Sequence, residues 1–460
     1  MINRWTNERL GQSLVAIGVA SLIFILSLNT TYGFILAPFG IMMLVFSFAY
    51  PYLFGILFFI LCLFRFHEII PGLYSLHLPL IFAILGILSL SINAQLGRVK
   101  IYWRREMTYF MLFFVWVSTS MVLAYSLQTS FGYWKDTYIK IFIVFFMITW
   151  TVTSEKAYKL IVFLIVLSGI SLSLLTHYYF AEGKHLVEVV RATLGGYSAI
   201  ADPNDLALTL LFPFSFCCSM VVSSSSSFLI RFIGFFGAII VIGAIFETQS
   251  RGGLMALIVI VSYFATHQIK PKSLVIFLTI FMMLLFYLFI SSLFVRVGGI
   301  EPGTLDESAM GRIYAWETAV NMAIHHPVFG VGINGFLDNY YNYALVWDNQ
   351  QHAVHSSWFG VLAESGFIGL ILYICCIISA IKTAHKNIVY ITEKHLSQFE
   401  QKTIYPILAR GLYSGLIGFC ISSTFLTQGF TWPFYIFFAL TIALAQSINT
   451  TIGDTVGKAR

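Results

Sequence analysis

Residues 273–293 read SLVIFLTIFMMLLFYLFISSL, 21 positions without a charge, preceded by Lys270 and Lys272. A helix rises about 1.5 Å per residue, so about 20 apolar residues cross a hydrocarbon core roughly 30 Å thick. The run has no alternation of period two, as a barrel strand would, and a helix satisfies its own backbone polar groups in lipid. Similar runs recur from Gln12 to Asn449, at 12–28, 32–49, 51–66, 75–93, 107–125, 137–153, 159–177, 204–222, 232–247, 254–267, 273–293, 357–380, 406–425 and 432–449. The chain reads as an all-α polytopic membrane protein of about 12–14 transmembrane helices. The first runs crowd around Tyr50-Pro51, which leaves the count open.

Composition agrees. Of 460 residues, 58% are hydrophobic and 10% charged, and the mean hydropathy is +0.85. Soluble domains carry roughly 25% charge. The net charge of +6 is concentrated in short loops, which is a topology signal and no nucleic-acid patch. With the N-terminus in the cytoplasm, the inner loops receive Arg98, Lys100, Arg104 and Arg105, then Lys156 and Lys159, Arg231, Lys270 and Lys272. Lys382, Lys386, Lys394, Lys402, Lys458 and Arg460 follow on the same side. Cys62, Cys217, Cys218, Cys375, Cys376 and Cys420 all fall in apolar runs, without disulfide or metal spacing. The basic start, Met1 to Arg9, precedes an apolar run with no small-residue cleavage site, so a retained first helix is expected.

Three outer loops stand out: Phe180 to Asn204, the turn Thr248-Gln-Ser-Arg-Gly-Gly253, and the long segment Phe294 to Ser356. Long loops of this kind are usually functional or disordered, and the periodicity of the long segment speaks against disorder. In the last, Ile313, Trp316, Val320 and Ala323/Ile324 share a helical face before Pro327. This spacing predicts a short amphipathic helix along the outer membrane surface. Three regions result: N-terminal helices 1–177, a catalytic membrane region 178–449 containing loop 294–356, and a cytoplasmic tail 450–460.

Arg191, Arg251, Arg312 and His355 all fall on the outer face, against the charge bias of the chain. Arg251 sits at the membrane boundary, where a guanidinium must be paired or wet. A planar fork there suits a phosphate or diphosphate. Its bland alternative is a snorkelling arginine or one paired with Glu247. For Arg191 the alternative is a helix-surface pair with Glu188, and for Arg312 a lipid-headgroup contact. An imidazole with an ordinary pKa near 6.5 suits proton transfer, yet a loop histidine is more often a satisfied polar group. His352 precedes His355 by three residues, but no third ligand with metal spacing accompanies them. Asp202, Asp306, Glu307 and Glu317 offer further carboxylates, and Asp205 reads as a helix N-cap. Glu364 lies about two turns inside the following helix, where it could orient His355 or hold an arginine.

Four stretches in order carry a resemblance. They are Arg191 through Asp202-Pro-Asn-Asp205, then Ser250-Arg-Gly-Gly253, then Gly311-Arg-Ile-Tyr-Ala-Trp316 with His326-Pro-Val-Phe-Gly-Val-Gly332. The last is Val354-His-Ser-Ser-Trp-Phe-Gly-Val-Leu-Ala-Glu-Ser-Gly366. Over residues 185–380 the chain resembles the O-antigen ligase and O-antigen polymerase superfamily of bacterial envelope glycosyltransferases, a GT-C-like membrane architecture. Ser356 stands where members often carry Asn, and His326 where an acidic or amide residue is common.

The resemblance implies metal-independent, cofactor-free transfer of a glycan from an undecaprenyl-diphosphate carrier to an acceptor hydroxyl. It implies a multi-pass inner-membrane location with the active site facing the periplasm. It assigns the diphosphate to Arg191 and Arg251, with Arg312 a recurrent basic position, and acceptor activation to His355; Glu364 and His352 are supporting candidates. Direct displacement would invert the anomeric centre. The implied partners are the lipid-linked glycan, membrane lipids and a hydroxyl of lipid A-core, of another glycan or of protein. Ligase chemistry leads, with a polymerase or a protein O-oligosaccharyltransferase as close alternatives. A lipid flippase or transporter would instead place ionisable residues near span centres or show repeats.

Overall fold

The computed structural model describes residues 49–70, 73–187, 190–195, 199–223, 226–266, 269–284, 302–392 and 404–458, with Met42, Val45 and Phe46. The spans expected at 12–28 and over most of 32–49 lie outside the described residues, as do Glu188, residues 285–293 of the span expected at 273–293, and residues 294–301 of the long loop.

Helices follow the apolar runs: α1 (Leu53–Phe64), α2 (Leu78–Gln95), α3 (Arg105–Val122), α4 (Ile139–Thr151) and α5 (Glu155–Ala181). After a hairpin of β1 (Leu186–Val187) and β2 (Arg191–Ala192) come α6 (Pro203–Val222), α7 (Phe228–Glu247) and α8 (Arg251–Ala265), then α9 (Lys272–Leu284). The segment between α9 and the next long helix holds α10 (Pro302–His325) and α11 (Phe336–Tyr343). The chain returns through α12 (Ser357–Thr392), α13 (Ile404–Ser422) and α14 (Trp432–Lys458).

Among the described residues seven helices are long and apolar enough to cross a membrane, and α1, α8 and α9 are shorter apolar helices. The protein is therefore an all-α polytopic membrane protein. α3 and α4 coincide with two further expected spans and contribute Phe110, Phe113 and Phe145 to the core. The final helix continues to Lys458, past the expected boundary at 449.

α6 and α14 form the centre: 78% of the apolar window of α6 and 83% of that of α14 are buried, against 28% for α7 and 17% for α2. Phe212 of α6 and Phe437 of α14 stack with ring centroids 3.7 Å apart. α6 packs on α7 and α13, while α12 packs on α3, α10 and α13. The exposed large apolar side chains of α7, among them Phe228, Phe232, Phe235 and Ile239, are the surface left for lipid.

The amphipathic helix forms, but with a different inward face. Ala315, Ala319, Met322 and Ala323 are buried, while Ile313 and Ile324 are exposed. The alanines allow α10 to approach α12 closely, so the bulkier stripe turns away from the protein. That stripe lines an apolar groove of about 340 Å³ with Trp316, Val320, Leu345 and Phe359.

Candidate active site

The turn between α7 and α8 is built to present Arg251. Gln249 takes a left-handed φ of 48° and reverses the chain. Ser250 caps α8 by accepting the amide of Gly253 at 3.3 Å. Arg251 is thus the first residue of the helix. A Cβ at Gly253 would lie 2.7 Å from Cβ of Ala207 on α6, so glycine is what lets the two helices meet. Glu247, the expected local partner of Arg251, is turned elsewhere: its Oε1 lies 2.7 Å from Nδ1 of His177 on α5.

Arg191 stands on β2 rather than on a helix. Its Nε donates to the carbonyl of Thr248 at 3.2 Å and its Nη2 to Oδ1 of Asn204 at 3.0 Å. Gln249 Nε2 donates to the carbonyl of Val190 at 3.3 Å. The hairpin is thereby tied to the arginine turn. Asp202, and not Asp205 as expected, caps α6 by accepting the amides of Asn204 and Asp205, which places Asp205 in the first turn. Two helix N-termini, of α6 and α8, therefore contribute to the region around these arginines, and such ends favour anions.

Arg312 on α10 joins the group. Burial, with the Arg251 and Arg191 guanidiniums beside it, pushes its pKa below the ordinary arginine value, and Asp202 opposes the shift. Gly311 before it is a packing requirement, because a Cβ there would lie 2.5 Å from Nδ1 of His352. That ring also sits 2.7 Å from the carboxylate of Asp348 through Nε2. His352 is therefore packed against Gly311, the residue before Arg312, and held by Asp348.

His355 occupies the loop entering α12, half-buried, with a left-handed φ of 37°. Non-glycine residues seldom adopt that conformation unless their surroundings impose it. Here they do. Trp316 Nε1 donates to the carbonyl of Val354 at 2.9 Å on one side. On the other, Ser357 Oγ donates to the carbonyl of Leu426 at 2.7 Å and accepts the amide of Gln428 at 2.9 Å. Burial first, then the Arg312 and Arg191 charges, lower the His355 pKa from its ordinary 6.5, with Asp202 opposing. The imidazole is thus kept neutral, the form that can take a proton.

Gln428 was not singled out in the sequence. Its Nε2 donates to Oδ1 of Asp205 at 2.6 Å, while its backbone amide holds Ser357. One residue between α13 and α14 therefore bridges the Asp202–Asp205 motif and the histidine loop. Hydrogen bonds from a glutamine in a turn form no sequence pattern, which is why it escaped notice.

Glu364 lies apart from the arginines and His355 in its bonding. Its two oxygens accept the backbone amides of Asn334 at 2.8 Å and Phe336 at 3.3 Å. Around it the His326–Gly332 stretch docks on a break in α12, where Gly366 has φ 70°. A Cβ at Gly330 would lie 2.4 Å from the carbonyl oxygen of Ala363, and one at Gly366 2.4 Å from that of Val328. Ser120 Oγ sits 2.6 and 2.7 Å from the carbonyls of Phe329 and Glu364. His326, at the motif's start, bonds Tyr343 through Nε2 at 2.6 Å.

Arg312 is thus within electrostatic reach of Arg251, Arg191 and Asp202, and His355 within reach of Arg312, Arg191 and Asp202, although these residues come from β2, α8, α10 and two loops. Both Arg312 and His355 feel neighbouring guanidiniums and the Asp202 carboxylate, with the imidazole neutral. That arrangement suits a multiply charged anion and a proton transfer next to it.

Among curated proteins none matches the chain. A family model described as O-antigen ligase matches residues 236–374, a stretch from α7 into α12 that contains Arg251, Arg312 and His355, with Arg191 upstream. Residues 236–374 are thus similar to the O-antigen ligase family, which supports a glycan-transfer enzyme of the membrane.

Proposed function

We propose that the protein transfers a glycan from an undecaprenyl-diphosphate carrier to an acceptor hydroxyl at the periplasmic face of the inner membrane, as a ligase. The observation that carries this reading is the gathering of Arg191 and Arg251 at one turn, where Arg191 Nε donates to the carbonyl of Thr248, with Arg312 near enough to feel both charges and His355 near enough to feel those of Arg312 and Arg191. The sugar–phosphate bond is already activated, so the chemistry asks for two things. Charge on the departing diphosphate is stabilised by the three guanidiniums. The proton of the attacking hydroxyl is taken by neutral His355, a contribution typically worth roughly 10²–10⁴-fold.

Attack from the face opposite the diphosphate inverts the anomeric centre. No step in this scheme calls for a metal or a cofactor. The apolar groove beside Trp316 offers lipid-like surface within reach of the histidine loop, because Trp316 bonds Val354.

The test is reconstitution of the full chain with an undecaprenyl-diphosphate-linked glycan and three acceptors offered in turn: lipid A-core, a second lipid-linked glycan, and a protein rich in Ser and Thr. Sugar on lipid A-core with the inverted linkage supports the ligase reading. Sugar on the second glycan or on protein replaces it with the polymerase or protein-modifying reading. Donor carried across the bilayer without any acceptor gaining sugar refutes transferase chemistry.

A further inference from the structure

His177 on α5 and Glu247 at the end of α7 form a pair that the scheme above does not use. Nδ1 of His177 lies 2.7 Å from Oε1 of Glu247, and Nε2 lies 2.9 Å from the carbonyl oxygen of Ile240. A carbonyl only accepts, so Nε2 carries a proton. Nδ1 then either donates to a carboxylate as part of an imidazolium or accepts from a carboxylic acid. Both arrangements hold the same number of protons, and in both the pair is neutral overall. The second carboxylate oxygen, Oε2, is buried and has no hydrogen-bond partner among the described residues. Among the described residues the hydrogen bonding of the Glu247 carboxylate therefore rests on His177.

The place of this pair gives it a consequence. Glu247 immediately precedes Thr248, whose carbonyl receives Arg191, and the same turn delivers Arg251. α5, which carries His177, leads into the hairpin that carries Arg191. Gly243 makes room for the ring: a Cβ there would lie 2.8 Å from Cε1 of His177.

We infer that His177 is a positioning residue whose proton cancels the charge of Glu247, so that the neighbouring arginine cluster presents its full positive charge to a diphosphate. The inference rests on the diphosphate reading given above. An uncompensated carboxylate at the foot of the turn draws on the same guanidiniums that the ligand needs, and weakens its binding.

The experiment measures binding of undecaprenyl diphosphate, without glycan, to the full-length protein in lipid nanodiscs. Arg251→Ala serves as the reference for the site itself. His177→Gln keeps a donor but loses the charge. Its Kd is expected to rise on the order of tenfold, the size of effect one unit charge exerts at short range near a protein boundary. Gly243→Ala, which displaces the ring, is expected to do the same if His177→Gln does not accumulate. Glu247→Gln alone binds as wild type, and the double variant H177Q/E247Q regains wild-type binding. A double variant that stays as weak as His177→Gln shows that the pair only packs the helices, and overturns the inference. So does a weakened Glu247→Gln, or a His177→Gln that binds normally while Arg251→Ala does not. If Arg251→Ala itself binds normally, the diphosphate reading falls and this inference with it.

Discussion

Replacing Glu364 by alanine removes the acceptor of two backbone amides, those of Asn334 at 2.8 Å and Phe336 at 3.3 Å. The side chain is 7% exposed, so water does not readily take its place. A hydrogen bond to a charged group contributes about 1.5–3 kcal/mol and an ordinary one about 1 kcal/mol, so the docking of the 334–343 segment loses about 2–4 kcal/mol. Every 1.4 kcal/mol is tenfold in an opening equilibrium, so amides of α11 should exchange roughly 30- to 700-fold faster when they open locally. Glu364→Gln retains one acceptor oxygen and turns an NH2 toward the other amide. Its effect should fall between wild type and alanine. Hydrogen–deuterium exchange with mass spectrometry on peptides covering 330–347 reads this directly. Unchanged exchange in both variants, with activity abolished, would refute the reasoning and return Glu364 to the chemistry.

Three further outcomes are expected. The acidic limb of the kcat/KM profile should lie below 6.5, because the lowered pKa of His355 keeps the imidazole neutral further into acid; Arg312→Gln removes a positive neighbour and should move that limb upward. Gly330→Ala sets a Cβ 2.4 Å from the Ala363 carbonyl at a φ of 67°, and by strain and overpacking should cost about 2–5 kcal/mol, seen as lost yield and lowered thermal stability. Gln428→Ala unties Asp205 from the histidine loop and should lower turnover roughly 10- to 100-fold with normal membrane insertion, since small misplacements of a reacting group are expensive.

The membrane architecture was legible in the sequence because lipid imposes its demand locally: each apolar run must be long enough and must close its own hydrogen bonds. The arginines were singled out for a related reason, as positive charges on the side that the charge pattern assigns to the outside. What joins them was not legible. Arg191 was open to a helix-surface reading, yet it sits on a two-residue strand braced by Thr248 and Asn204, contacts that span 57 and 13 positions. Glu364 looked available to the site because depth in a helix says nothing of the loop that folds over it; its partners are backbone amides, which every residue has. The inward face of α10 was rotated from expectation because small alanines, which score weakly as apolar, win the close contact with α12. Gln428 and His177 carry no motif, and their value lies wholly in what tertiary packing brings against them.

The most direct measurement separates donor binding from turnover in purified, reconstituted protein carrying His355→Ala or Arg251→Ala. Expected is a His355→Ala protein that holds undecaprenyl diphosphate as tightly as wild type while transfer falls roughly 10²–10⁴-fold, and an Arg251→Ala protein whose loss lies in donor affinity. Transfer at the wild-type rate by the His355→Ala protein, with the donor bound and the acceptor saturating, contradicts the account.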